Sequence, residues 1–163
     1  MGALAITELR TELAALVPGL DLSVEAIGDR TKVLLPAAPG ADYRFVVEVF
    51  GSGQAAIVAM PVSEPEAEYF WFMEWEPSVS VSLEVRNVLP YMRRLALNPT
   101  RIVQTRGRLG LSFKCEAFEE GSWTRVGDTV TVLGGSMGLG DSTAKVVTYS
   151  SPRLSAPGDA SAT

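Results

Sequence analysis

The sequence predicts an α+β domain with an N-terminal helix, a mostly antiparallel twisted sheet laid down as hairpins, and a second short helix around 88–97. Three observations predict it. Apolar residues recur at helical spacing near the N-terminus and switch to alternation after Pro18-Gly19. Turn signals such as Gly28-Asp29, Gly51-Ser52-Gly53 and Glu120-Gly121 separate short β-rich runs. The strand–helix–strand rhythm of a parallel sheet is missing.

The first element is an amphipathic helix over 5–17, with Ile6, Leu9, Leu13, Leu16 and Val17 on one face. Glu8 and Glu12 lie towards its positive end, and Pro18-Gly19 stops it. Leu20, Leu22, Val24 and Ala26 then alternate with Asp21, Ser23 and Glu25, as in a half-buried strand. Residues 31–35 make its hairpin partner. A strand from Tyr43 to Val49 turns at Gly51-Ser52-Gly53 and returns over 54–62. Residues 68–76, EYFWFMEWE, are apolar on both faces at the centre, which predicts a central strand covered on both sides.

Residues 79–98 fit two patterns. Val79, Val81, Leu83 and Val85 alternate as in a strand. Val81, Val85, Val88, Leu89, Met92 and Leu95 also form a helical stripe. Pro90 is disfavoured in a helix interior but tolerated in a first turn. A strand over 79–86, Asn87 as N-cap and a helix over 88–97 is the preferred reading; one kinked helix from Ser82 is the alternative. Further strands are expected at 101–105, 109–117, 123–126, 128–133 and 145–149, with Arg106-Gly107 as a turn. The domain is expected to end at residue 150, with 151–163 a flexible tail of Pro, Ala, Ser and Gly. Leu9, Leu13, Leu22, Val24, Phe45, Val47, Trp71, Leu111 and Phe113 are the expected core.

The 163 residues are 47% hydrophobic and 20% charged, as in an ordinary globular domain. There is no histidine, which removes Ser-His-Asp and Cys-His catalysis and His-ligated zinc within one chain. Cys115 is the only cysteine, so no intrachain disulfide forms, and its place beside Phe113 predicts a buried, inert thiol. Residues 1–19 lack the basic start of a secretory signal and carry Glu8, Arg10 and Glu12. No apolar run approaches the roughly 20 residues of a membrane span. A cytoplasmic protein without a cofactor or membrane partner is the expectation.

The net charge of −5 is unevenly spread. Residues 86–114 hold Arg86, Arg93, Arg94, Arg101, Arg106, Arg108 and Lys114 and no acid, whereas residues 1–80 are strongly acidic. Arg93, Arg94, Arg106 and Arg108, with Trp75, are the candidate partner-binding residues. Two readings stand: a surface for another protein or a second copy, or pairing inside the chain with the acidic half. A sequence pI near 4.8 argues against nucleic acid. A rival reading is an enzyme or small-ligand binder using a sheet-face pocket with Glu74, Glu76 or Tyr69. The glycine-rich run 134–140 lacks the GKS/T ending and following helix of a phosphate loop, and reads as a connection.

Residues 89–113, LPYMRRLALNPTRIVQTRGRLGLSF, resemble the type III secretion chaperone-like and YbjN-like families, through Leu95, Leu97, Asn98, Gly107, Leu109 and Leu111. The resemblance implies a small acidic α+β protein with an N-terminal helix and a twisted antiparallel sheet. Many such proteins dimerise, and they bind polypeptides without catalysis, as a chaperone-like, immunity-type or adaptor module would. The chain departs from the pattern in its extra strands before the central helix and its lack of a C-terminal helix, so no functional residue carries over.

Overall fold

A computed structural model of the chain describes residues 2–51, 55–63, 71–75, 81–107, 110–132 and 145–154. Helix α1 (Gly2–Leu16) leads into a five-stranded meander: β1 (Ser23–Ile27), β2 (Arg30–Leu34), β3 (Tyr43–Phe50), β4 (Ala55–Pro61) and β5 (Trp71–Trp75). Helix α2 (Val81–Leu97) follows. Then β6 (Thr100–Gly107), β7 (Gly110–Glu119), β8 (Ser122–Val132) and β9 (Lys145–Ser151) form a second antiparallel sheet in the order β8-β7-β6-β9. The α+β class with antiparallel pairing is as expected. The strands divide into two sheets, not one, because α2 interrupts the meander and β6 then pairs with the strands that follow it.

One core joins the layers. Leu9 and Leu13 of α1, Val17 just beyond its end, and Val88, Met92, Leu95 and Ala96 of α2 pack with one face of each sheet. The N-terminal sheet supplies Val33, Tyr43, Phe45, Val47 and Ile57; the C-terminal sheet supplies Ile102, Phe113, Cys115, Ala117 and Val126. The sheets are tied by a 2.7 Å hydrogen bond between the Tyr43 and Thr100 hydroxyls and by the Ser150 amide donating to the Asp42 carboxylate at 2.8 Å. Burial pushes the Tyr43 phenol well above its ordinary value. On the opposite face of the first sheet Leu34, Val46, Ala56, Val58 and Met60 form a second cluster, with the buried Glu48 carboxylate held 3.0 Å from Lys32.

Several expectations need correction. Residues 81–86 are helical, so the continuous helix is the one formed. Pro90 in its interior costs about 3 kcal/mol. Burying Val88, Met92 and Leu95 returns about 1.5–3 kcal/mol each, which outweighs it. Pro90 itself is exposed, so water can reach the carbonyl it leaves unpaired. Val24 is 40% exposed, because β1 is an outer strand exposed along its length. Leu111 is only partly buried against the core, and the Trp71 side chain lies outside the described ones. Among the described residues, 71–75 form the edge strand of their sheet, not a central one, and approach β7 and β8 of the other sheet. Arg106 and Gly107 belong to β6, whose last rung is Gly107 opposite Gly110. The two strands expected at 123–126 and 128–133 are one. A bulge accommodates Gly127 at φ 70°, so that three residues between Val126 and Val130 face one residue, Lys114.

The chain beyond residue 150 also differs. Ser151 is buried in β9 opposite Thr100, and the Leu154 amide donates to the Ala96 carbonyl at 3.1 Å while its side chain packs on the core. The domain therefore extends at least to Leu154, and residues 155–163 lie outside the described part. Truncation after Ser150 is expected to lower stability by about 1–3 kcal/mol, measured by urea unfolding, since a rung, a backbone hydrogen bond and an apolar side chain go together.

The β7–β8 hairpin closes at Glu119 opposite Ser122, and both loop residues have positive φ, 51° at Glu120 and 82° at Gly121. Such tight loops match the twist of the flanking strands. Glycine adopts that conformation freely, but glutamate does not. Glu120→Asn is expected to raise stability by about 0.5–1 kcal/mol, read as a higher midpoint in the same urea titration.

Candidate functional site: the outer face of the C-terminal sheet

Alternation along the strands decides what this sheet shows to solvent. In β7, Phe113, Cys115 and Ala117 point into the core, which turns Ser112, Lys114, Glu116 and Phe118 outward. Register places Arg101 of β6 and Arg125 of β8 on either side of Glu116, and Trp123 of β8 beside Phe118. The outer face thus carries an aromatic rung next to a charged one.

Phe118 and Trp123 are 39% and 38% exposed, with ring centroids 5.2 Å apart. The Arg101 guanidinium lies 4.3 Å from the Trp123 ring centre. Its Nε also donates to Glu116 at 2.6 Å, and Lys114 Nζ reaches the other carboxylate oxygen at 2.8 Å. Burial pushes the Glu116 carboxyl up, but the hydrogen bonds from Lys114 and Arg101 outweigh that and hold it below the usual carboxylate range. Arg125 is exposed, and among the described residues no ion pair engages its side chain. Two cations therefore hold one carboxylate, with a third in the rung beside it, next to two exposed rings.

The residues expected to form the partner surface are dispersed. Arg93 is exposed on α2. Arg94, its neighbour, is turned about 100° around the helix and clamps the β7–β8 hairpin. Its Nε and Nη2 donate to the two Glu119 oxygens, both at 2.8 Å, and Nη2 also donates to Thr124 Oγ1 at 3.0 Å. Asn98 donates to the Arg94 carbonyl at 2.9 Å, which closes the end of α2 onto the same cluster. Arg106 is exposed at the far end of β6, and the 10 residues of β7 between the two ends span roughly 30 Å. Arg94 and Arg106 therefore do not share a surface. Arg108, Tyr69, Glu76 and the 134–140 run lie outside the described residues, as do the side chains of Glu74 and Trp75. Among the described residues the basic stretch pairs inside the chain with Glu116 and Glu119 of its own half.

Acid should expose the weight of these pairs. The Arg94 hydrogen bond, followed by that from Thr124, holds the Glu119 carboxyl below the usual range. A carboxyl lowered in the folded state stabilises it above the unfolded value, about 4.3 for glutamate, and that stability is lost as pH falls through the lower folded value. Glu119→Gln is expected to cost about 1–2 kcal/mol at neutral pH, after discounting for partial exposure, and to flatten the acid limb of stability against pH. Equilibrium unfolding between neutral and strongly acidic pH checks both parts.

Trp123 and Phe118 are functional candidates that sequence reasoning missed. The available signal was the alternation itself: Ser112, Lys114 and Glu116 mark the polar face of β7, and Phe118 interrupts it. Cys115 is buried, and burial pushes its thiol well above the ordinary value, in keeping with an inert side chain. A shallow cleft of about 180 Å³ lies between Leu20, Pro36, Ala37, Pro39 and Leu154, with Asp21 as the one ionisable neighbour among the described residues. Ligand pockets usually exceed about 300 Å³ and bring several polar groups together. Among the described residues no three Cys, Asp or Glu side chains converge as metal ligands, and no helix is long and apolar enough to cross a membrane. No protein-family model, curated protein or solved structure matches this chain.

Proposed function

We propose that the chain is a non-enzymatic protein-interaction domain, of chaperone-like, immunity or adaptor type, that binds another polypeptide through the outer face of its C-terminal sheet. One observation carries the reading: Phe118 and Trp123 stand exposed beside each other, with Arg101 laid over the indole. Tryptophan and arginine dominate the energetics of protein interfaces. The rings are also mounted on a rigid hairpin, so little freedom is lost on docking. The resemblance of residues 89–113 to polypeptide-binding families points the same way.

A photo-crosslinking amino acid in place of Phe118, compared with one in place of Glu12 on the exposed side of α1, tests the proposal in the native host. A discrete polypeptide adduct from position 118, absent from position 12, is expected. An equal pattern from both positions, or none from position 118, would overturn it.

A further inference from the structure

We infer that the segment bound on this face is acidic, with an apolar residue and two carboxylates on alternate positions of an extended chain; the inference rests on the polypeptide-binding reading above. Three successive outward rungs of β7 set the pattern. The first is Phe118 with Trp123, the second is Glu116 flanked by Arg101 and Arg125, and the third is Lys114. Successive outward positions on a strand lie about 6.6 Å apart. An extended segment running along β7 presents alternate side chains at the same interval. Its residues i, i+2 and i+4 then meet the aromatic pair, the arginine rung and Lys114.

Charge selects the chemistry. Among the described residues Glu116 is the one carboxylate paired on this face; it is shared by Arg101 and Lys114, and Arg125 opposite it adds an unpaired positive charge, so the three cations exceed that carboxylate by two. The whole chain carries −5. An acidic segment is drawn to this island and repelled elsewhere, which fixes where it lands. A long nucleic acid meets the same repulsion over a wider footprint and needs more phosphate contacts than three cations provide. Glu116 itself shows the geometry by which a carboxylate is held here, accepting from Arg101 and Lys114 together. Arg125 remains available for a carboxylate from outside.

Fluorescence anisotropy with the full chain and labelled peptides tests the inference. The probes are a peptide of pattern Trp-Ser-Glu-Ser-Glu, its counterpart with glutamine for glutamate, and a short oligothymidylate. The acidic peptide should bind most tightly, and its affinity should fall about tenfold from low to high salt and about tenfold with Arg125→Glu. Equal binding of the glutamine peptide with no effect of Arg125→Glu, but loss of both peptides with Trp123→Ala, would overturn the acidic inference and leave the polypeptide reading standing. No binding of either peptide, alongside a polypeptide adduct from position 118, would likewise overturn only the inference. Tighter binding of oligothymidylate than of either peptide would overturn both.

Discussion

Leu13→Ala is expected to destabilise the fold by about 3–5 kcal/mol, a large share of the total stability of a domain of this size. Leu13 is fully buried where α1 meets the α2 residues Met92 and Leu95 in the core they share with both sheets. Removing its branched end loses the transfer free energy of the methyl groups and leaves a cavity that two helices and two sheets must close together. The tie between Tyr43 and Thr100 limits how far the sheets can shift to close it. Calorimetry and urea unfolding measure the effect. A loss below about 1 kcal/mol would mean that α1 is a dispensable appendage and not part of the core.

Trp123→Ala is expected to separate binding from folding. Within the chain the indole contributes an aromatic cross-strand pair and a stacked guanidinium, together worth about 1 kcal/mol. At an interface a central tryptophan is commonly worth 2 kcal/mol or more, so association should weaken by about thirtyfold or more while the unfolding midpoint moves only a little. Phe118→Ala should act in the same direction with a smaller effect, because its ring has no cation stacked on it among the described contacts. Partner binding by calorimetry, beside thermal unfolding of each variant, distinguishes this from general destabilisation. Proportional losses in both would place Trp123 in the structural framework only.

Much of the fold was legible because local signals and tertiary packing agree. The α1 stripe, the Pro18-Gly19 stop and the Gly28-Asp29 turn each act over a few residues, and α1 and β2 form close to where these signals place them, while β1 begins only at Ser23 and is exposed instead of half-buried. The reading failed where one pattern serves two structures. Val81, Leu83 and Val85 alternate as a strand does, while Val81, Val85, Val88 and Met92 follow the helical repeat, and burial of the later members of that repeat decided the outcome. Gly127-Asp128 reads as a break between strands, but β7 continues alongside, and the glycine becomes a bulge.

The site was less legible than the fold. Arg93 and Arg94 are equivalent as sequence, yet one rotational step of the helix leaves Arg93 exposed and turns Arg94 onto Glu119, 25 residues away. The counter-charge of Arg101 lies in β7 because of strand register, which the charge profile along the chain does not report; Lys114 reaches the same carboxylate from two residues away on its own strand. The aromatic pair likewise joins two strands across a hairpin. Its members can be seen as neighbours only once Glu119 is set opposite Ser122.

The place where the partner touches the chain is the decisive observable. Chemical-shift mapping of the isotope-labelled protein with the polypeptide captured from its host measures that. The predicted result is that the largest changes fall on the Trp123 indole, Phe118, Lys114 and Arg125, with α1 and β1 unmoved. Changes concentrated on β1 or on the exposed sides of the helices, with the Trp123 indole unperturbed, would contradict it.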